Sequence, residues 1–192
     1  DECFIWFASR DLDLPFRFDP NNPPLYYCTL YFWMKLFGSS EQSLRGLSVV
    51  ASIACVPLGF VTASLLFNRR IAWTVAVLVT ISTFHIYFAQ EARNYALQGL
   101  LVLSSTWCLL KALREEDNRR AYYYFAGYLV TLTLSLYMHI LVFFVLASQL
   151  LLALVYRPWR ASRFWITVAL SAVAVVLYSP YMLMALRTCT ST

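Results

Sequence analysis

Charged side chains are scarce in this chain: Asp, Glu, Lys and Arg make up 13% of its 192 residues, about half of what a soluble domain carries. That shortage excludes an ordinary water-soluble globule. The five cysteines (Cys3, Cys28, Cys55, Cys108, Cys189) form no CxxC pair and no zinc-ligand spacing, so neither a structural zinc site nor a dithiol redox motif is encoded. There is no internal repeat, no low-complexity segment, and no signal peptide or targeting segment visible in the sequence. Two of the boundaries between apolar runs contain neither Gly nor Pro, so chain reversals there have to be found from length.

Apolar side chains dominate instead, at 60% hydrophobic and 17% aromatic. The composition defines an all-α, polytopic transmembrane bundle. The formal charge of +5 then belongs to individual loops rather than to a nucleic-acid-binding surface. Because the chain begins at Asp1 and closes on the polar stretch 187–192, it is read as a fragment that a further transmembrane helix precedes.

Residues 1–46 read as a first extracytoplasmic loop. Its polar part ends in the turn-forming Asp19-Pro20-Asn21-Asn22, and Pro23-Pro24 suits a helix start. A helix from Pro24 to Phe37, stopped by Gly38, would be about 21 Å long, too short to span and rich in Tyr and Trp, so an interfacial position is expected. Ser39 with Gln42 forms a capping-box pattern for the next helix. Six runs long enough to cross a bilayer follow over 47–183, at Leu47–Phe67, Ile71–Ala89, Tyr95–Ala112, Ala121–Met138, Ile140–Tyr156 and Phe164–Leu183, and 184–192 forms an outer polar tail. As one helix, Ile71–Ala112 would measure about 63 Å, twice the hydrocarbon thickness. The chain must therefore reverse near Gln90–Asn94, and by the same argument near Tyr137–His139. Pro57 and Pro180 fall inside spans, where they kink helices. Cys55 and Cys108 fit packing positions.

Loop charges set the orientation. One set of loops holds nine basic residues against three acids, the other six against seven. The positive-inside rule makes the first set cytoplasmic. Residues 1–22, the Gln90–Asn94 turn, the His139 turn and the tail then share the outer side, whose near-neutral balance argues for one local phosphate contact rather than a broad anion-binding surface.

The polar groups on that side are the candidates for chemistry. Asp1 and Glu2 present adjacent carboxylates that could deprotonate a hydroxyl or hold a divalent cation; a solvated acidic terminus explains them equally well. Gln90, Glu91, Arg93, Asn94 and Tyr95 form the densest polar group inside the hydrophobic part. Arg93 suits a phosphate, and Glu91 is available as a further carboxylate. Two positions apart, the pair would point to nearly opposite sides of a regular helix, so an internal ion pair is not expected. The alternative is a surface turn with its charges in water. His85 and His139 lie near outer helix ends, where a histidine can bind phosphate, donate to a sugar, or simply pack through hydrogen bonds. Arg45 snorkels or caps, and the run from Glu115 to Arg120 is a solvated loop.

The order Asp1-Glu2, Asn22-Pro23-Pro24-Leu25-Tyr26-Tyr27, Leu36-Phe37-Gly38-Ser39-Ser40-Glu41 and Leu44-Arg45, with the stretch Phe84 to Leu97 and Leu136-Tyr137-Met138-His139, resembles the superfamily C membrane glycosyltransferases. Within them it is similar to the protein O-mannosyltransferase-like group (glycosyltransferase family 39 type) that includes the aminoarabinose transferases. The resemblance implies a sugar donor carried on polyprenyl phosphate and an acceptor lipid, glycan or protein. It also implies an active site on the extracytoplasmic face of a membrane, expected to be a bacterial or archaeal plasma membrane. It places catalysis on Asp1, Glu2 and Glu91, with Asp1 and Glu91 as ligands if a divalent metal is used, and substrate binding on Arg93, Asn22, Tyr95, His139, Gln90 and His85. Aminoarabinose transferases carry a lysine at the position of Asn22, so phosphate binding here falls first on Arg93. The rival readings are a transporter or flippase of lipid-linked intermediates and a structural subunit of an assembly.

Overall fold

The computed structural model describes residues 24–156 and 162–190, with side chains through 184. Its regular elements are all helices: α1 (Leu25–Phe37), α2 (Glu41–Leu66), α3 (Arg69–Ile81), α4 (Thr83–Gln90), α5 (Tyr95–Arg114), α6 (Asn118–Leu136), α7 (Val142–Tyr156) and α8 (Ser162–Thr190).

Local chemistry explains most of the helix ends. α1 stops at Gly38, whose φ of +86° is open to glycine without penalty, and the Gly38 amide donates back to the Met34 carbonyl at 2.8 Å. α2 is capped by Ser40 rather than by the expected Ser39–Gln42 pair: the extended Ser40 accepts from the Ser43 amide at 3.2 Å, so the helix opens at Glu41, which pairs with Arg45 at 2.7 Å. Asn68 caps α3 and Asp117 caps α6 in the same way.

The second expected span, Ile71–Ala89, is broken. Ser82 leaves the helical region (ψ 116°) and its hydroxyl accepts from the His85 amide, ending α3, starting α4 and bending the pair by 51°. A serine cap inside an apolar run is enough to do this, because it gives the freed amides a partner that hydrocarbon cannot. Among the described residues three helices are long and apolar enough to cross a membrane: α2, α5 and Ser162–Met184 of α8. The bent α3–α4 pair makes a fourth if it is one span. At 15 residues α7 is short for a crossing, and α6, with Arg119, Arg120 and four tyrosines, is less apolar. The bundle is thus polytopic and all-α, with fewer spans meeting length and composition than the six expected.

α5 is the central helix, packed against α6 on one side and α2 on the other, with α7 and α4 also against it. Small buried residues of α2 (Ser48, Ser52, Cys55, Gly59, Ala63) recur every three or four positions, which brings its backbone close to α5. Leu109, Leu113, Phe125, Tyr128, Leu132, Leu136 and Tyr178 build the main core between α5, α6 and α8. Cys108 packs in this cluster and Cys55 is also buried, as their positions in apolar runs predict. Polar links tie the helices where water is excluded. Tyr128 Oη and Ser171 Oγ lie 2.9 Å apart, and Gln149 Nε2 donates to Ser105 Oγ at 2.8 Å and to Thr106 Oγ1 at 3.0 Å.

The two ends of the bundle differ. At one, Arg163 of α8 forks onto the carbonyls of Ala112, Leu113 and Glu115 and the Asn118 side chain, satisfying the last carbonyls of α5. At the other, Tyr26 and Leu30 of α1, Leu44 and Leu47 of α2, Ala92 and Met138 form a second buried cluster. Both reversals expected from length, near Gln90–Asn94 and Tyr137–His139, fall at this second end, as turns over 91–94 and 137–141.

Candidate functional site

Asp1, Glu2 and Asn22 lie outside the described residues; the remaining candidates gather around the second end. After α4 the backbone leaves the helix at Glu91 (ψ 138°) and re-enters at Asn94, so Glu91 to Arg93 form a short non-helical turn. The spacing argument against an ion pair fails here for that reason. With no helical twist separating them, Arg93 Nε and Glu91 Oε2 lie 3.6 Å apart, the side chains 35% and 25% exposed. The Tyr87 hydroxyl, one helical turn before, lies within electrostatic reach of the Glu91 carboxylate. Gln90 is exposed on the last turn of α4.

Between the charged residues sits Ala92, 1% exposed in the second cluster beside Met138. The turn is pinned on both sides of that anchor. Ser48 Oγ donates to the Arg93 carbonyl at 3.4 Å, and Asn94 Nδ2 donates to the Met138 carbonyl at 3.0 Å. The second contact joins the two turns directly.

Below the turn, toward the interior of the bundle, lies a cavity of about 670 Å³ between α2, α4, α5 and the start of α7. It follows α5 from Tyr95 to Thr106, roughly 16 Å at the helical rise. The walls are mainly apolar, among them Phe84, Phe88, Val102, Leu103, Val142 and Val145. His85, Tyr95 and His139, remote or unremarkable neighbours in sequence, all line it. His85 Nε2 donates to the Ser52 carbonyl at 3.2 Å. His139 Nδ1 accepts from the Leu141 amide at 3.1 Å, which leaves the proton of the neutral ring on Nε2. The Tyr95 ring packs at 4.6 Å from Phe88 and 6.4 Å from His139, centroid to centroid. Two polar atoms of the wall, Ser52 Oγ and Gln98 Oε1, are buried without a hydrogen-bond partner among the described residues.

Sequence reasoning missed Tyr87, Ser52 and Gln98 as site neighbours. Gln98 was findable, since it follows Tyr95 by three positions and shares its helix face. Ser52 was not, because nothing local says which face of α2 meets α4.

Of the two expected metal ligands, Asp1 lies outside the described residues. No three His, Cys, Asp or Glu side chains converge among the described residues, and the Glu91 carboxylate pairs with Arg93.

A bundle of apolar helices carrying a carboxylate–guanidinium turn over an apolar cavity fits a membrane enzyme acting on a lipid-linked substrate. The family comparison is specific: the model of the dolichyl-phosphate-mannose-protein mannosyltransferase family matches residues 21–184. The chain belongs to that family, and is a membrane glycosyltransferase of mannosyltransferase-like type. No curated protein and no solved structure matches it.

Proposed function

We propose that this chain forms part of an enzyme that moves a sugar from a polyprenyl-phosphate donor to an acceptor lipid, glycan or protein on the extracytoplasmic face of a bacterial or archaeal plasma membrane. One observation carries the reading: a Glu–Arg turn stands at the end of the bundle, and an apolar cavity begins at Tyr95, two residues further on. A lipid-phosphate sugar has the matching order of parts, an anionic head and an apolar chain.

In this reading Glu91 takes the proton from the acceptor hydroxyl as its oxygen bonds to the anomeric carbon. The bond from that carbon to the phosphate oxygen breaks, and its electron pair leaves with the polyprenyl phosphate. Arg93 stabilises the charge on the departing phosphate. Arg93, paired with Glu91 at 3.6 Å, orients the carboxylate. Asp1 and Glu2 are further candidates for the base, Asn22 and Gln90 for sugar contacts, and His139, with its Nε2 proton, for a donor to the phosphate or sugar.

The test is transfer of radiolabelled sugar from a polyprenyl-phosphate donor by the full-length protein in nanodiscs. Glu91→Gln should lower kcat by about 10²-fold or more. Full transfer by that variant would remove Glu91 from catalysis, and movement of the lipid across the bilayer without transfer by the wild type would establish a translocator instead.

A further inference from the structure

Asn94 occupies the N-cap position of α5, where Asn, Asp and Ser are favoured because their side chains accept from the first helical amides. Here the side chain makes no such bond. Its amide instead reaches 44 residues along the chain and donates to the Met138 carbonyl at 3.0 Å. The residue type suited to a local cap is thus used for a tertiary link, between the turn carrying Glu91 and Arg93 and the turn carrying His139. Its surroundings favour a rigid joint. Ala92 and Met138, each 1% exposed, pack in one cluster on either side of the bond. The Leu25 amide donates to the neighbouring Tyr137 carbonyl at 3.4 Å, adding the start of α1 to the same point.

We propose that Asn94 is a positioning residue for the transfer reaction, holding the Glu91–Arg93 turn in register with the His139 turn through the Met138 carbonyl. The proposal rests on the function argued above, because it needs Glu91 and Arg93 to act at the reacting groups. The Asn94 side chain itself touches none of them; it acts through the backbone. Loss of the link leaves both turns folded and lets them shift relative to one another, and a displacement of about 1 Å costs on the order of 10²-fold in rate.

Asn94→Asp separates this role from helix capping. Aspartate is as good an N-cap as asparagine and nearly the same shape, yet its ionised carboxylate has no proton to donate and repels the Met138 carbonyl. A residue serving only the helix would tolerate the change. The positioning role predicts a fall in kcat of about tenfold to a hundredfold, with donor KM within about twofold and the thermal midpoint of the full-length protein in detergent lowered only slightly, as loss of one hydrogen bond requires. Wild-type kcat in Asn94→Asp would overturn the proposal while leaving the assignment of Glu91 and Arg93 intact. Hydrogen exchange gives a readout independent of turnover: amides of 91–94 and 137–141 should both exchange faster in Asn94→Asp. Unchanged exchange in both turns would also overturn it. A wild-type protein with no transferase activity would instead defeat the proposed function, and the exchange result would still decide whether Asn94 couples the turns.

Discussion

Replacing Arg93 by alanine separates what the side chain does for the fold from what it does for chemistry. The Arg93–Glu91 pair is 3.6 Å apart and about one-third exposed on the arginine side, and a pair of that kind stabilises a protein by only about 0–1 kcal/mol. The backbone anchor survives the substitution, since Ser48 bonds the Arg93 carbonyl and Ala92 stays packed. The thermal midpoint in detergent should therefore move little. A cation that stabilises charge developing on a departing phosphate is worth far more, about 3–4 kcal/mol or 10²–10³ in kcat by analogy with other preorganised charge-stabilising donors. Arg93→Lys keeps the charge and loses the planar fork, so it should fall between the two. The assay is sugar transfer by the full-length protein in nanodiscs, with kcat and donor KM measured alongside thermal unfolding. Arg93→Ala within about twofold of wild type at an unchanged midpoint would refute the phosphate role. A collapsed midpoint with unchanged turnover per folded molecule would make Arg93 a structural residue.

At the opposite end, Arg163→Ala should lower the thermal midpoint, because several carbonyls at the end of α5 lose their donor together. The cost is about 1.5–3 kcal/mol, with Arg163→Lys recovering only part of it in the same unfolding measurement. Burial raises the Cys28 thiol above its ordinary value. Its thiolate fraction is then lower at any given pH, so the profile of maleimide labelling rate against pH should be displaced upward from that of an exposed thiol; coincident profiles would contradict the burial. Single cysteines introduced as Glu91→Cys and Glu116→Cys should label from opposite sides of the membrane, because the two residues lie beyond opposite ends of α5. Labelling from one side would overturn both the charge-derived orientation and the separation of the two ends.

The amino-acid sequence by itself determined the class of fold and the position of its reversals. Composition excluded a soluble domain, and simple length forced turns near Gln90–Asn94 and Tyr137–His139, since a helix twice the thickness of hydrocarbon has no stable place in a bilayer. It also picked out Glu91, Arg93, Tyr95, His85 and His139, because polar side chains inside apolar runs are rare enough to stand out. Local chemistry misled where one residue decides a backbone state: Ser40 took the cap assigned to Ser39, and Ser82 broke a run that hydrophobicity alone made continuous. Tertiary structure decided the rest. Whether Glu91 and Arg93 meet depends on the loss of helical twist between them. That His85, Tyr95 and His139 share one cavity depends on how α2, α4, α5 and α7 pack. The bond from Asn94 to Met138 spans 44 residues, and no pattern within either turn encodes it, because a hydrogen bond between distant segments exists only once the helices around it have brought them together.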